Sequence, residues 1–264
     1  MQNLTLETKY FFHCRVKIIK IKKMLQFILL QTPATQAYGS TLMWVVFLAL
    51  TLISMIVSKS VQRKFKKYSN IRTEGGMTGR EVAERMLADH DIHNVQIQMV
   101  QGTLTDHYNP VNKTLNLSPD VYNGTSVAAA AVAAHECGHA VQHAVGYSWL
   151  GLRTALVPVV NFSSKFVSWI LLAGLLLVKV FPGLLLIGIG LFALSTLFSI
   201  VTLPVEVNAS ARALRWIQQR EITSRDTHHY AESALRSAAY TYVMAAVTSL
   251  ATLAYYVMVY LNRR

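Results

Sequence analysis

The chain has 264 residues, of which 53% are hydrophobic and only 14% are charged. Soluble domains contain roughly 25% charged residues, so this composition argues against an ordinary soluble protein. A net charge of +12 would suit nucleic acid, but no interleaving of basic and aromatic residues accompanies it, and we expect no nucleic-acid partner. The two cysteines, Cys14 and Cys137, lie far apart and suggest no disulfide framework.

Residues 1–40 form an N-terminal extension whose status the sequence leaves open. A basic run that ends at Lys23 precedes the short apolar stretch MLQFILL, and TPATQA follows. This order is typical of a signal peptide with a late basic region, and it fits equally well a true start at Met24 or a plain cytoplasmic tail. We base no further prediction on this segment.

Long uncharged segments predict four membrane-spanning helices. They lie at 41–58, in a hairpin of two spans at 156–203, and at 237–262. Lys165 is near enough to one end of the second span to reach the membrane interface. The sequence FPG at 181–183 predicts the tight turn of the hairpin, and residues 204–236 predict a polar helix that follows it.

Residues 59–150 predict a small α+β unit between the first span and the hairpin. Thr78, with Glu81 three residues later, has the capping-box pattern of a helix start. The alternating segment VQIQMV and the segment TLNLS predict two short strands. Ser126 then begins an alanine-rich helix that is expected to end near Gly146.

Basic residues are distributed unequally between the two sides of the predicted spans. Nine Lys and Arg residues lie in 59–150 and five in 205–236, whereas the opposite side has only Lys179 and two C-terminal arginines. Cytoplasmic loops carry an excess of Lys and Arg, so we predict a multi-pass protein of the prokaryotic cell membrane with both polar regions in the cytoplasm. The basic run at 9–23 argues the other way, unless it also faces the cytoplasm or is not translated.

The sequence HECGH, at the start of HECGHAVQH, has the spacing of a zinc site. Residues four apart share one face of a helix, so His135 and His139 can bind the same Zn²⁺ ion. Glu136 can then take a proton from metal-bound water. Chance produces this three-residue pattern about once in a hundred such chains. Gly138 weakens a helix by about 1 kcal/mol relative to alanine, so helix propensity does not explain it.

A catalytic zinc ion needs a third protein ligand and an open fourth position. His143 lies about 12 Å along the helix axis from His135, which is too far for the two to share an ion. A metzincin would place its third histidine six residues beyond His139, and that position is Val145. The sequence therefore excludes the metzincin class, and the third ligand must come from another segment.

Glu206 is the predicted third ligand. It is the only acidic residue between Glu136 and Glu221, and it directly follows an uncharged span. An ionisable group beside the membrane is costly without a partner, and the hairpin would return this segment to the zinc helix. The alternative is an interfacial carboxylate paired with Arg212 or Arg215.

Several separated motifs together resemble the YugP-like family of membrane-bound neutral zinc metallopeptidases. They are HECGHAVQH, LPVEVNASARAL, LTDHYNP and LNLSPDVY. The resemblance runs from about Thr78 to the fourth span and leaves out the first 40 residues. It implies a zinc peptidase. The predicted fold class is mainly α, with multi-span membrane helices, a small zincin-like α+β catalytic unit and a gluzincin-like HExxH helix.

This family is similar in layout to heat-shock membrane proteases whose third ligand lies in the motif Glu-x-x-Ala-Asp. Here the motif reads Glu206-Val-Asn-Ala-Ser210, so serine replaces the aspartate that supports the metal ligands in that wider group. Ser210 or Asn208 is therefore the candidate for this supporting role.

An oxyanion-stabilising residue cannot be chosen from the sequence alone. His107 ranks first for a catalytic role because it lies in LTDHYNP, although it could equally cap the turn before Pro110. The other candidates are Arg212, His228, His229 and Tyr230.

The predicted function is that of a membrane-embedded zinc metalloendopeptidase, with zinc-activated water and Glu136 as general base. Its partners would be the lipid bilayer and peptide, unfolded or membrane-protein substrates, as in membrane-protein quality control. TLNLS could hold extended substrates as an edge strand. An inactive zinc-stabilised scaffold is the alternative. A transporter would need buried charge pairs in its spans, and a zinc sensor would need a fourth strong ligand.

Overall fold

The computed structural model describes residues 37–262. The N-terminal extension predicted from the sequence lies almost entirely outside this range. The helices of the described part are α1 (Ala37–Tyr68), α2 (Gly79–Asp89), α3 (Pro119–Tyr122), α4 (Val127–Ala144), α5 (Ser148–Leu176), α6 (Pro182–Gln219) and α7 (His228–Leu261). The strands are β1 (Gln96–Met99), β2 (His107–Asn109) and β3 (Thr114–Leu117). The predicted fold class, mainly α with one small sheet, is confirmed.

Four helices of the described range are long and apolar enough to cross a membrane. These are Met43–Tyr68 within α1, and the whole of α5, α6 and α7. Their outward surfaces carry large apolar side chains, such as Leu48, Phe162 and Trp169, which are 62%, 67% and 72% exposed. Apolar surface on this scale is unfavourable in water and is expected where a helix contacts lipid.

Helix α6 is continuous through the point where a polar helix was predicted to begin. It runs from Pro182 to Gln219, with Pro204 inside it, and is about 57 Å long, whereas the bilayer core is about 30 Å thick. The chain turns only after Gln219, and α7 begins at His228. The prediction of one separate polar helix at 204–236 was therefore wrong, because this segment is divided between α6 and α7. Charge composition changes where a helix leaves lipid, but backbone hydrogen bonding continues across that boundary.

Helix α4, the predicted zinc helix, is the centre of the larger buried core. The Ser126 hydroxyl accepts a hydrogen bond from the Ala129 amide at 3.2 Å, which caps the start as predicted. After Ala144 the chain leaves the helix through Gly146, whose φ of 63° suits a residue without a side chain. Most residues of α4 are buried, and the helix packs against α2, α6 and α7. Its alanines allow these neighbours to approach closely.

The sheet has the order β1–β3–β2, with β3 parallel to β1 and antiparallel to β2. The capping box of Thr78 and Glu81 is present at the start of α2, and β1 and β3 lie within the predicted strands. Because β3 is the central strand, the prediction that TLNLS is an edge strand was wrong. The edges are β1 and the three-residue strand β2, which also contacts α4. A strand as short as β2 carries no readable alternation of polar and apolar residues.

The backbones of α4 and α6 meet at Gly138. A Cβ atom added to Gly138 would lie 2.7 Å from the carbonyl oxygen of Ala209, which is closer than carbon and oxygen atoms pack. This close approach explains the helix-weakening glycine between the two zinc-site histidines. It also brings the segment that contains Glu206 against α4.

We predict that Gly138→Ala pushes α4 and α6 apart, with a loss of about 1–3 kcal/mol of stability and a lower zinc content. Gly190→Ala is the matched control, because Gly190 is also on α6 and nothing lies within 4 Å of its added Cβ. The control should retain wild-type zinc and lose no stability. Thermal unfolding and elemental analysis of detergent-purified protein measure both effects. Wild-type values for Gly138→Ala would contradict the inferred contact.

Candidate metal centre

His135, His139 and Glu206 bring their side chains to one point between α4 and α6. Glu206 Oε2 lies 3.3 Å from His135 Nε2 and 3.6 Å from His139 Nε2. One ligand atom from each of the three residues lies within 4.8 Å of the others. Two ligands that are each about 2.0–2.1 Å from a tetrahedral zinc ion lie about 3.3 Å apart. The three residues are therefore positioned to hold one metal ion.

The chemistry of these donors also suits a cation. Glu206 Oε2 is buried and has no hydrogen-bond partner among the described residues, an arrangement that is costly for a carboxylate oxygen. Burial disfavours the charged form of His139, yet the Glu206 carboxylate raises the pKa of His139 to about 9. The site thus attracts positive charge, which a divalent metal ion would supply.

Polar side chains hold the far side of each histidine ring. Ser210 Oγ shares a hydrogen bond of 3.1 Å with His135 Nδ1, and Gln142 Oε1 accepts one of 3.1 Å from His139 Nδ1. Gln142 Nε2 donates to Asn208 Oδ1 at 3.0 Å. Such contacts orient a ring so that its other nitrogen faces the metal. Ser210 thus touches a candidate ligand directly, whereas Asn208 acts only through Gln142.

Two further residues of the site were missed in the sequence. Arg153 on α5 places Nη1 3.7 Å from Glu206 Oε1. The ion pair of Glu206 is therefore with Arg153, and not with Arg212 or Arg215 as the alternative drawn from the sequence suggested. Only the antiparallel register of the α5–α6 hairpin could have indicated this pairing. Gln142 lies three residues after His139, nearly one helical turn away, and this spacing was a usable signal.

Glu136 is buried on α4 beside the ligands, and β2 holds its carboxylate. The backbone N–H of Tyr108 donates to Glu136 Oε2 at 3.0 Å. The Tyr108 hydroxyl shares a 2.8 Å hydrogen bond with His143 Nδ1, which links the same strand to α4 a second time. Close by, burial raises the pKa of Asp106 to about 6, and the negative charge of Glu136 adds to this shift. The LTDHYNP motif therefore contributes a backbone donor that no side-chain pattern reveals.

His107 lies next to Tyr108, but its ring makes a local contact. Its Nδ1 lies 2.8 Å from the carbonyl oxygen of Thr105, and its Nε2 is buried without a hydrogen-bond partner in the described part of the chain. Neighbouring side chains on a strand point to opposite faces, and Tyr108 points toward α4. The ring of His107 is therefore expected on the other face of the sheet. This arrangement favours the turn-stabilising alternative that the sequence left open.

The remaining oxyanion candidates also lie apart from the ligands. His228 and His229 line a separate cavity of about 620 Å³, and Tyr230 packs against Tyr68. Arg212 donates to Asn208 at 2.8 Å. Within residues 37–262, none of these four has a hydrogen bond or ion pair with His135, His139 or Glu206.

The HExxH helix, with a glutamate from a second helix, is the arrangement of a zinc metallopeptidase. Residues 43–261 match the model of a family described as "Putative neutral zinc metallopeptidase", and the chain belongs to this family. It is 41% identical to "Putative membrane protease YugP" of Bacillus subtilis (strain 168) over 224 residues, which cover 83% of this chain and 98% of that protein. No solved structure matches the chain significantly. The predicted family, enzyme class and zinc cofactor are confirmed.

We predict that Ser210→Ala weakens zinc binding by about 10- to 100-fold, because His135 loses the partner that orients its ring. Competition with a chromogenic chelator measures this affinity. Ser199→Ala is the control, since Ser199 is on the same helix and, among the described residues, its hydroxyl bonds only to the Ser195 carbonyl. Equal affinities for the two variants would show that Ser210 does not support the site.

Proposed function

We propose that the protein is a membrane-embedded metalloendopeptidase in which Glu136 is the general base. The observation that carries this proposal is the placement of Glu136, which is fixed by the Tyr108 amide beside the group of His135, His139 and Glu206. A purely structural zinc site would need the three ligands, but it would not need a buried and oriented carboxylate next to them.

His135, His139 and Glu206 would hold the zinc ion, with a fourth position left for water or substrate. Zinc, when bound there, polarises a substrate carbonyl and lowers the pKa of a coordinated water toward about 7. Ser210 and Gln142 keep the two imidazoles in the required orientation. The remaining steps depend on side chains of this chain.

Glu136 would move the proton. As the oxygen of the attacking water bonds to the peptide carbonyl carbon, Glu136 accepts a proton from that water. It later donates this proton to the amine nitrogen as the C–N bond breaks. Because the Tyr108 amide occupies Oε2, Oε1 is the oxygen assigned to proton transfer.

Arg153 is the proposed electrostatic partner of the site. Its guanidinium lies 3.7 Å from Glu206 Oε1, which favours the ionised carboxylate that a metal ligand requires. We therefore assign to Arg153 the role of keeping the Glu206 carboxylate ionised.

The substrate would be an extended segment that lies along β2. The Tyr108 amide points away from the paired strand β3 and is bonded to Glu136, so the outer edge of β2 borders the site and offers a substrate its backbone carbonyl groups. Binding through backbone groups selects unfolded chains more than particular side chains. Such selection, beside membrane helices, supports a role in membrane-protein quality control.

The active site would face the cytoplasm. The support is the excess of Lys and Arg in 59–150 and 205–236 over the opposite side, where Lys179 lies in the α5–α6 turn. This orientation gives the enzyme access to cytoplasmic loops and to membrane proteins that have not folded.

We predict that Glu136→Gln retains zinc and lowers peptidase activity by at least about 100-fold, because the amide cannot accept the proton. The measurements are elemental analysis and cleavage of unfolded casein by detergent-purified protein. Glu84→Gln, at an exposed ion pair with Arg80, should leave both unchanged. Retention of zinc with equal activity in wild type and Glu136→Gln would contradict the role of Glu136. An inactive wild type that binds zinc would favour a zinc-stabilised scaffold.

The orientation predicts which of two exposed lysines can be labelled from outside the cell after replacement by cysteine. In a Cys14→Ser background, a membrane-impermeant maleimide should label Lys179→Cys in intact cells but label Lys113→Cys only after permeabilisation. Cys137 is buried and should not react. The reverse pattern would place the metal centre outside the cytoplasm.

A further inference from the structure

We propose that a cavity beside the last turns of α6 binds a phosphate group. The cavity has a volume of about 350 Å³ and is lined by Arg212, Arg215 and Arg220 of α6, together with Asp89 and His90 at the end of α2. Neither the family description nor the proposed peptidase mechanism accounts for three arginines around one cavity. The proposal goes beyond the proposed function and does not depend on it.

The positive charge of the cavity is only partly compensated. Asp89 is its one carboxylate, and Asp89 Oδ2 accepts hydrogen bonds of 2.8 Å from Arg220 Nε and from Trp216 Nε1. In the described part of the chain, Arg215 has no hydrogen bond or ion pair, and Arg212 bonds to the neutral amide of Asn208. Two guanidinium charges thus face one space without a counter-charge, and an anion would neutralise them.

Two of the three arginines, Arg212 and Arg220, are held in a way that leaves their outer ends available. Arg212 and Arg220 each use Nε for their contacts with Asn208 and Asp89. Their terminal Nη groups have no other partner in the described residues. The planar N–H groups of guanidinium match phosphate oxygens in paired hydrogen bonds. Arginines that are already oriented lose less freedom when they bind an anion.

The position of the cavity along α6 matches the level of lipid headgroups. Arg153 of α5 meets Glu206 of α6, which sets the two antiparallel helices in register. Trp149 is 44% exposed and lies about 6 Å from Arg153 along α5, toward the start of that helix. Arg212 lies about 9 Å from Glu206 along α6, toward the end of that helix, which is the same direction because the two helices are antiparallel. Exposed tryptophans favour the membrane interface. Arg212, the first of the three arginines, therefore lies about 3 Å farther from the bilayer centre than Trp149, at the level where lipid phosphates are found.

The same chemistry could come from the phosphate of an anionic lipid or from free inorganic phosphate, and one experiment separates them. Protein purified in a non-ionic detergent is titrated calorimetrically with inorganic phosphate. The same protein is reconstituted with phosphatidylglycerol, extracted gently and examined by native mass spectrometry for retained lipid. Wild type, Arg215→Gln and the charge-matched control Arg225→Gln are compared, because Arg225 lies outside this cavity. Unchanged zinc content shows that each variant is folded.

We expect Arg215→Gln to weaken phosphate binding, or retention of one phosphatidylglycerol molecule, by about tenfold or more, the effect of losing one charge-assisted contact. Arg225→Gln should remain within about twofold of wild type. Binding in the phosphate titration identifies free phosphate as the ligand, and retention of lipid alone identifies the headgroup. The proposal is overturned if wild type shows neither, or if the two variants lose binding equally. These readouts do not involve peptide cleavage, so failure of the peptidase mechanism would leave them unchanged.

Discussion

The contact between the backbones of α4 and α6 is the constraint on which the metal centre depends. At Gly138 the helices are too close for even one methyl group, and this distance sets where Glu206 stands relative to the two histidines. Gln142 crosses the same contact, because its amide donates to the Val205 carbonyl at 2.8 Å while its oxygen meets His139. Ser210 on α6 also shares a hydrogen bond with His135 on α4. Helix packing and metal geometry are therefore one arrangement.

A second constraint fixes the carboxylate of Glu136. Strand β2 has only three residues, yet it meets α4 at two points through Tyr108, once by its amide at Glu136 and once by its hydroxyl at His143. These two points are about two helical turns apart, so β2 cannot rotate without breaking one of them. The strand pairs with β3 on its other side. The sheet, although small, thus holds Glu136, the proposed base, in a defined position beside the candidate metal ligands.

The parts of this structure that depend on local sequence could be predicted, and those that depend on tertiary pairing could not. The zinc helix has its cap, its periodicity and its ligand spacing within twenty residues. Glu206 could be predicted as a ligand because it is a single acidic residue that follows a long uncharged span. The order of the strands was missed because strand pairing is non-local, and β2 is too short to show a pattern. The contact of Arg153 with Glu206 and the full length of α6 could be recognised only from the packing of α5 against α6.

The α5–α6 hairpin separates the two halves of the metal centre in the chain. His135 and His139 precede it, whereas Glu206 lies on its second arm, α6. In a polypeptide whose hairpin has not folded, Glu206 is not held beside the two histidines, and two of the three candidate ligands do not make a catalytic zinc site. Completion of the site is thus tied to insertion. A newly made chain would therefore lack the assembled metal centre until its hairpin is in the membrane.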